Sequence, residues 1–105
     1  MKVLLVNGSP HEKGCTYTAL RHVAKALEEQ GVNAQIYWIG NKAIHGCMDC
    51  GKCSEIHQCA IQDNVNEFRE LAKDFDGYVF GTPLYYAGMT GSLKEFMDRL
   101  FCSDL

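Results

Sequence analysis

The sequence predicts an α/β fold built on an open parallel sheet. Three observations carry that expectation. Apolar runs alternate with stretches of helical spacing, in the order βαβ, a loop, then αβα. The first apolar run has no polar alternation, as a strand covered on both faces requires. The chain has 105 residues, 47% of them hydrophobic and 22% charged, which is an ordinary globular composition for one domain.

The elements follow in order. Lys-Val-Leu-Leu-Val at 2–6 reads as a buried strand ended by Asn7-Gly8-Ser9-Pro10. Residues 16–30 space Ala19, Leu20, Val23, Ala24 and Leu27 along one helical face, and Gly31 stands where a glycine follows a helix end. Residues 34–39 read as the second strand, and residues 40–62 as an irregular, cysteine-rich insertion loop. Val65, Phe68, Leu71, Ala72 and Phe75 mark a second helix that Asp63 or Asn64 can cap. Asp76-Gly77 turns into a third strand at 78–81. Ser92 and Glu95 form a capping box for a third helix, with Leu93, Phe96, Met97 and Leu100 as its apolar stripe. If strand one lies between strands two and three, the loops at 7–16 and 82–91 sit side by side at the strands' C-terminal ends. Sheets of this kind bind ligands there.

The formal net charge of −3 gives no electrostatic reason to expect nucleic acid or an anionic membrane as partner. No apolar run approaches the roughly 18 residues of a membrane span, and the N-terminus lacks the pattern of a signal peptide. The expected location is the cytoplasm. Six cysteines are many for such a chain, and Cys47, Cys50, Cys53 and Cys59 fall within one short stretch. In a reducing compartment that cluster reads as metal-binding or redox-active before it reads as a disulfide scaffold.

The first loop, Asn7 to Thr16, joins a buried strand to a helix N-terminus, where unpaired N–H groups favour an anion such as phosphate. Gly8 and Gly14 allow close backbone approach, Ser9 and Thr16 offer hydroxyls, and Lys13 adds charge. A plain turn with a Ser/Thr cap is the competing reading. The loop is neither a Walker A loop nor a Gly-x-Gly-x-x-Gly fingerprint. The second loop carries Tyr85 and Tyr86, suited to a planar ring, and backbone N–H groups around Tyr86 to Gly88 suited to its heteroatoms.

Asn7-Gly8-Ser9-Pro10, Gly14-Cys15-Thr16, Thr82 to Met89 and Gly91-Ser92-Leu93-Lys94 with Asp98-Arg99 together resemble the two flavin loops of the flavodoxin-like NAD(P)H-dependent FMN reductases. The resemblance spans the whole chain. It implies a flavodoxin-like doubly wound sheet, truncated to three strands in the order 2-1-3 with three helices. It implies FMN, with phosphate held by Ser9, Cys15 and Thr16 and the isoalloxazine set against Pro83, Leu84, Tyr85 and Tyr86. It implies electron transfer from NAD(P)H to a small-molecule or protein acceptor. His11 and Cys15 stand where many relatives carry Arg and Asn.

Cys47-x2-Cys50-x2-Cys53-x5-Cys59 opens with the spacing of bacterial ferredoxin runs, and four thiols also suit tetrahedral zinc. The arrangement resembles that of the iron–sulfur flavoproteins, which implies a [4Fe–4S] cluster on Cys47, Cys50, Cys53 and Cys59. Zinc and free thiols stay open as readings. His45 and His57 are expected to be solvated, and Cys102 to be a packed apolar residue of the third helix. The residues of a flavodoxin-like domain beyond its third strand and helix have no counterpart here. The third strand is therefore an unpaired apolar edge, and homo-oligomers are expected. Two other functional readings stand beside the reductase. One is a non-enzymatic carrier of flavodoxin type, and the other a zinc-binding or interaction module that has lost flavin.

Overall fold

The computed structural model describes residues 1–104. Strands β1 (Lys2–Asn7), β2 (Asn33–Trp38) and β3 (Gly77–Gly81) form one sheet in the order β2-β1-β3. Both pairings are parallel, with Leu5 opposite Ile36 on one side and Val79 on the other. Helices α1 (Cys15–Glu29), α2 (Cys53–Ile56), α3 (Asn64–Ala72) and α4 (Gly91–Asp104) complete the described chain. The expected strand order and fold class hold.

Strand β1 has no polar face because each of its faces builds a core. Leu4 and Val6 join Val65 and Phe68 of α3 and Leu93, Phe96 and Leu100 of α4. Val3 and Leu5 point the other way and pack with Leu20 and Ala24 of α1. Alternation along a strand divides the run between the two layers. In the larger core Phe68 meets Tyr37 and Phe96 edge-on, with ring centroids 5.1 and 5.2 Å apart. Such edge-to-face pairs add to area burial. Helix α1 ends as expected. Gly31 adopts φ +79°, Gly31 N–H donates to the Glu28 carbonyl, and Val32 N–H donates to that of Leu27. Two of the five residues of the expected α1 stripe are uncovered, however. Leu20 and Ala24 are buried, while Ala19 and Val23 are exposed.

Two expectations need correction. The stretch 40–62 is not wholly irregular, since Cys53–Ile56 forms one helical turn and the described helices number four. That turn closes with His57 N–H on the Cys53 carbonyl and Ser54 Oγ on the Gly51 carbonyl. The capping box at Ser92 is also displaced. Thr90 holds the start of α4, its Oγ1 accepting the Leu93 N–H at 3.2 Å and donating to the Gly8 carbonyl at 2.8 Å. Ser92 already lies inside the helix. At α3 the cap is Asp63, whose Oδ1 accepts the Val65 N–H at 3.0 Å.

The most constrained backbone position is Gly8. A Cβ there would lie 2.8 Å from Leu93 Cδ2, 2.9 Å from Leu93 Cβ and 3.0 Å from the Gly81 carbonyl oxygen. Its N–H donates to that carbonyl at 2.8 Å. Gly8→Ala should force β1, β3 and α4 apart and cost about 1–3 kcal/mol, the usual range for overpacking. Urea unfolding followed by circular dichroism measures this, and an unchanged midpoint contradicts the tight approach.

Candidate functional site

The loop after β1 is organised from within. Asn7 is buried, its Nδ2 donating to the Glu12 carbonyl at 3.0 Å and its Oδ1 accepting the Ser9 N–H at 3.0 Å. Ser9 is buried too; its Oγ accepts the His11 N–H at 3.1 Å and its carbonyl accepts Trp38 Nε1–H at 2.8 Å. Helix α1 then begins behind Gly14 with no side-chain cap and no acidic residue in its first turn. Its leading N–H groups, at Cys15 and Thr16 among others, have no intrahelical acceptor. Thr18 turns its hydroxyl back to the Gly14 carbonyl at 3.2 Å. Lys13 is exposed and lines a separate open groove of about 860 Å³, beside Tyr17, Arg21, Lys25 and Trp38.

The loop after β3 is clamped at its base and tight at its tip. Thr90 N–H donates to Thr82 Oγ1 at 3.1 Å. At the tip, Tyr85 and Gly88 exchange backbone hydrogen bonds of 2.9 and 3.0 Å. Between them Tyr86 and Ala87 hold φ of 49° and 63°. A two-residue turn with both central residues left-handed normally takes Asn-Gly or similar, so a tyrosine and an alanine there are strained. Leu84, Tyr85, Tyr86 and Met89 are all exposed, and Pro83 is half-buried. Clustered apolar exposure at one loop marks a contact surface.

The two loops meet. A cavity of about 130 Å³ is lined by Gly8 and Pro10 from the first, Tyr85 and Thr90 from the second, and Gly40 and Asn41 behind β2. Pro83, Leu84, Tyr86 and Gly88 lie on the second loop outside this cavity wall. The Gly40–Asn41 contribution was missed from sequence. Its signal was its place just beyond β2, at the same end of the sheet as the other two loops.

A second cavity of about 50 Å³ is lined by Cys47, Cys50, Cys53, Cys59 and also Cys102. Cys102 is thus not a packed apolar residue. It is exposed on α4, and the Cys53 thiol donates to its carbonyl at 3.7 Å. Hydrogen bonds to the Cys47 and Cys53 side chains, and their charge, push its thiol up to about 11. His45 and His57 are exposed, as expected.

Arg99, only 1% exposed, holds this pocket to the core. Its Nη1 and Nη2 donate to the two Asp63 carboxylate oxygens at 2.7 Å each. They donate also to the carbonyls of His45 and Ile61, both at 3.1 Å. Its Nε donates to Cys59 Sγ at 3.4 Å. An arginine has five N–H donors, and each finds an acceptor. Burial pushes the Asp63 carboxyl up, but hydrogen bonds from Arg99 and Val65 N–H outweigh this and hold it below the usual carboxylate range. The role of Arg99 was not legible in sequence, because its partners lie 36 to 54 residues away.

The sequence profile of the NADPH-dependent FMN reductase family matches residues 1–104. The chain belongs to that family. Similar curated proteins include an iron–sulfur flavoprotein of Methanocaldococcus jannaschii, 34% identical over 99 residues, covering 94% of this chain and 51% of the relative. An iron–sulfur flavoprotein of Clostridioides difficile is 29% identical over 102 residues, covering 94% and 45%. An FMN-dependent NADPH-azoreductase of Staphylococcus aureus is 26% identical over 100 residues, covering 95% and 52%. The chain spans about half the length of the curated relatives it matches. Among the described residues no helix is long and apolar enough to cross a membrane.

The family's cofactor fits the surroundings of the cavity between the loops in kind, with an uncapped helix N-terminus for phosphate and an exposed aromatic turn for a flat ring, although Ser9, Cys15, Thr16 and Tyr86 do not line the cavity itself. The thiol pocket fits a thiolate-bound metal in donor chemistry. Among the described residues, however, no three cysteine, histidine or carboxylate side chains are drawn together at metal-holding geometry.

Two outcomes follow. Asp63→Asn should destabilise the chain by about 3 kcal/mol, the cost of leaving a buried guanidinium without its carboxylate. In the parent, this contribution is complete above the ordinary carboxylate pKa near 4 and fades as pH falls through the lower folded value. Denaturant midpoints against pH should therefore lose part of their acid limb in Asp63→Asn. Separately, Ala87→Gly should relieve left-handed strain and raise stability by about 1 kcal/mol. A lowered midpoint for Ala87→Gly contradicts the turn geometry.

Proposed function

We propose that the chain is the FMN-binding part of an oxidoreductase that passes electrons from NAD(P)H to an acceptor in the cytoplasm. The observation that carries this reading is the cavity where the β1 and β3 loops converge, beside a strained turn that bears an exposed tyrosine. Strain of this kind is retained where the surroundings over-determine it, and it collects at ligand sites.

The residues have distinct tasks. The leading N–H groups of α1, with Ser9, Cys15 and Thr16, hold the phosphate, and Lys13 adds long-range charge. Pro83, Leu84 and Tyr85 form an apolar wall for the ring and exclude water from one of its faces. Tyr86 offers its backbone N–H to the ring's heteroatoms, and its side chain closes over the ring; Gly88, whose own N–H is spent on the Tyr85 carbonyl, serves by closing the turn that presents Tyr86. Bound flavin supplies hydride acceptance and single-electron exchange. Cys47, Cys50, Cys53 and Cys59 hold a [4Fe–4S] cluster, and the hydrogen bond from Arg99 Nε fixes the place of the Cys59 sulfur. No side chain need act as acid or base. Strand β3 has β1 on one side and no described strand on the other. Its free edge pairs with a second copy or with further chain.

An absorption spectrum of protein purified without oxygen tests the reading. Flavin bands above a broad brown background are expected. A colourless protein that also fails to quench added FMN fluorescence removes the flavin claim, and flavin bands alone remove the cluster. Tyr86→Ala should weaken FMN binding about tenfold, read by the same quenching. Steady-state oxidation of NADH or NADPH separates a reductase from a carrier. Sedimentation at micromolar concentration should give a species larger than the monomer.

A further inference from the structure

We propose that Cys102 is a reserve metal-ligating thiol, so that a centre of four thiolates can draw on five thiols, four from the cysteine loop and one from α4. The inference rests on the reading above that this loop holds a metal.

The placement comes from α4. Arg99 and Cys102 are three residues apart, so they share a helix face. Both line the thiol cavity. Arg99 reaches Cys59 through its Nε, and the Cys102 thiol meets the thiols of Cys47 and Cys53. The Cys53 thiol also points at the Cys102 carbonyl at 3.7 Å. Three of the four loop thiols are thus each tied to α4 by a named contact.

The mechanics favour Cys102 as a ligand. The loop thiols ride on a segment whose only described helix is a four-residue turn. Helix α4 is anchored through Leu93, Phe96, Arg99 and Leu100, all buried. A ligand on such a helix holds its position better than one on a loop. Thiolate zinc and iron–sulfur centres take four cysteines, so a fifth can occupy a position when one loop thiol is absent. Cys50 is the loop thiol with no sulfur or arginine contact named above. It is exposed and follows a left-handed Asp49, φ 53°. Cys102 is the thiol placed to stand in for it.

Cobalt(II) added to the reduced, oxygen-free chain is the probe, because thiolate-to-cobalt charge-transfer absorption counts sulfur ligands. Parent, Cys50→Ser, Cys102→Ser and the double variant are titrated against a competing chelator. Far-ultraviolet circular dichroism confirms that each is folded, which exposure of Cys50 and Cys102 permits. Cys50→Ser is expected to keep the sulfur count of the parent. The double variant is expected to lose one sulfur and to bind cobalt at least tenfold more weakly than Cys50→Ser. Equal affinity and equal sulfur count in Cys50→Ser and the double variant overturn the role of Cys102 while leaving the loop's metal intact. A parent that develops no thiolate band overturns the metal reading of the whole loop, and this inference with it.

Discussion

A buried guanidinium holds the second half of this chain together. Arg99 sits in the core with all five of its donors used, two of them on one carboxylate. Its other acceptors are two carbonyls and a sulfur from the cysteine loop. A buried charge is tolerated only when paired and fully hydrogen-bonded. That requirement works in reverse as well. To keep Arg99 satisfied, the loop must bring His45, Cys59, Ile61 and Asp63 to one place. Asp63 then does double duty, since the same carboxylate caps α3. The pairing thus couples the entry of α3, the path of the loop and the seat of α4.

The other organising constraint is steric. Gly8 lies so close to Leu93 and the Gly81 carbonyl that no side chain fits. The β1 and β3 loops are consequently tied at their bases, by the Gly8–Gly81 hydrogen bond and by Thr90 on the Gly8 carbonyl. Only their tips diverge, and the cavity opens between them. Backbone polar groups near the strand ends are spent on this closure. The groups left over, at the start of α1 and around Tyr86, face outward.

Much of the fold was legible because it depends on local pattern. The unbroken apolar run of β1 announced two covered faces, and Gly31 announced the end of α1. What escaped depends on contacts distant in sequence. Thr90 caps α4 because its hydroxyl meets Gly8, 82 residues away, whereas the Ser92–Glu95 pair satisfies only a local template. Cys102 fits an apolar helix stripe equally well whether it faces the core or the cysteine loop. Arg99 stood out in sequence as part of a flavin-loop motif, and its partnership with Asp63 had no local signature. At the candidate site, the loops were legible from their place after β1 and β3. The strain at Tyr86 and Ala87 was not, since neither residue type advertises a left-handed turn.

Helix α4 touches both regions of interest. Its first turn lines the cavity between the loops, through Gly91 and Ser92. Arg99 and Cys102, further along, line the thiol pocket. At about 1.5 Å of rise per residue, eight residues from Gly91 to Arg99 set an axial offset of roughly 12 Å. A helix is stiff against stretching over that length. The interval between the two cavities is therefore a fixed gauge, set by residue count and indifferent to motion of the loops. Inserting or deleting one residue in α4 would change that gauge and also rotate one cavity's lining by about 100° relative to the other.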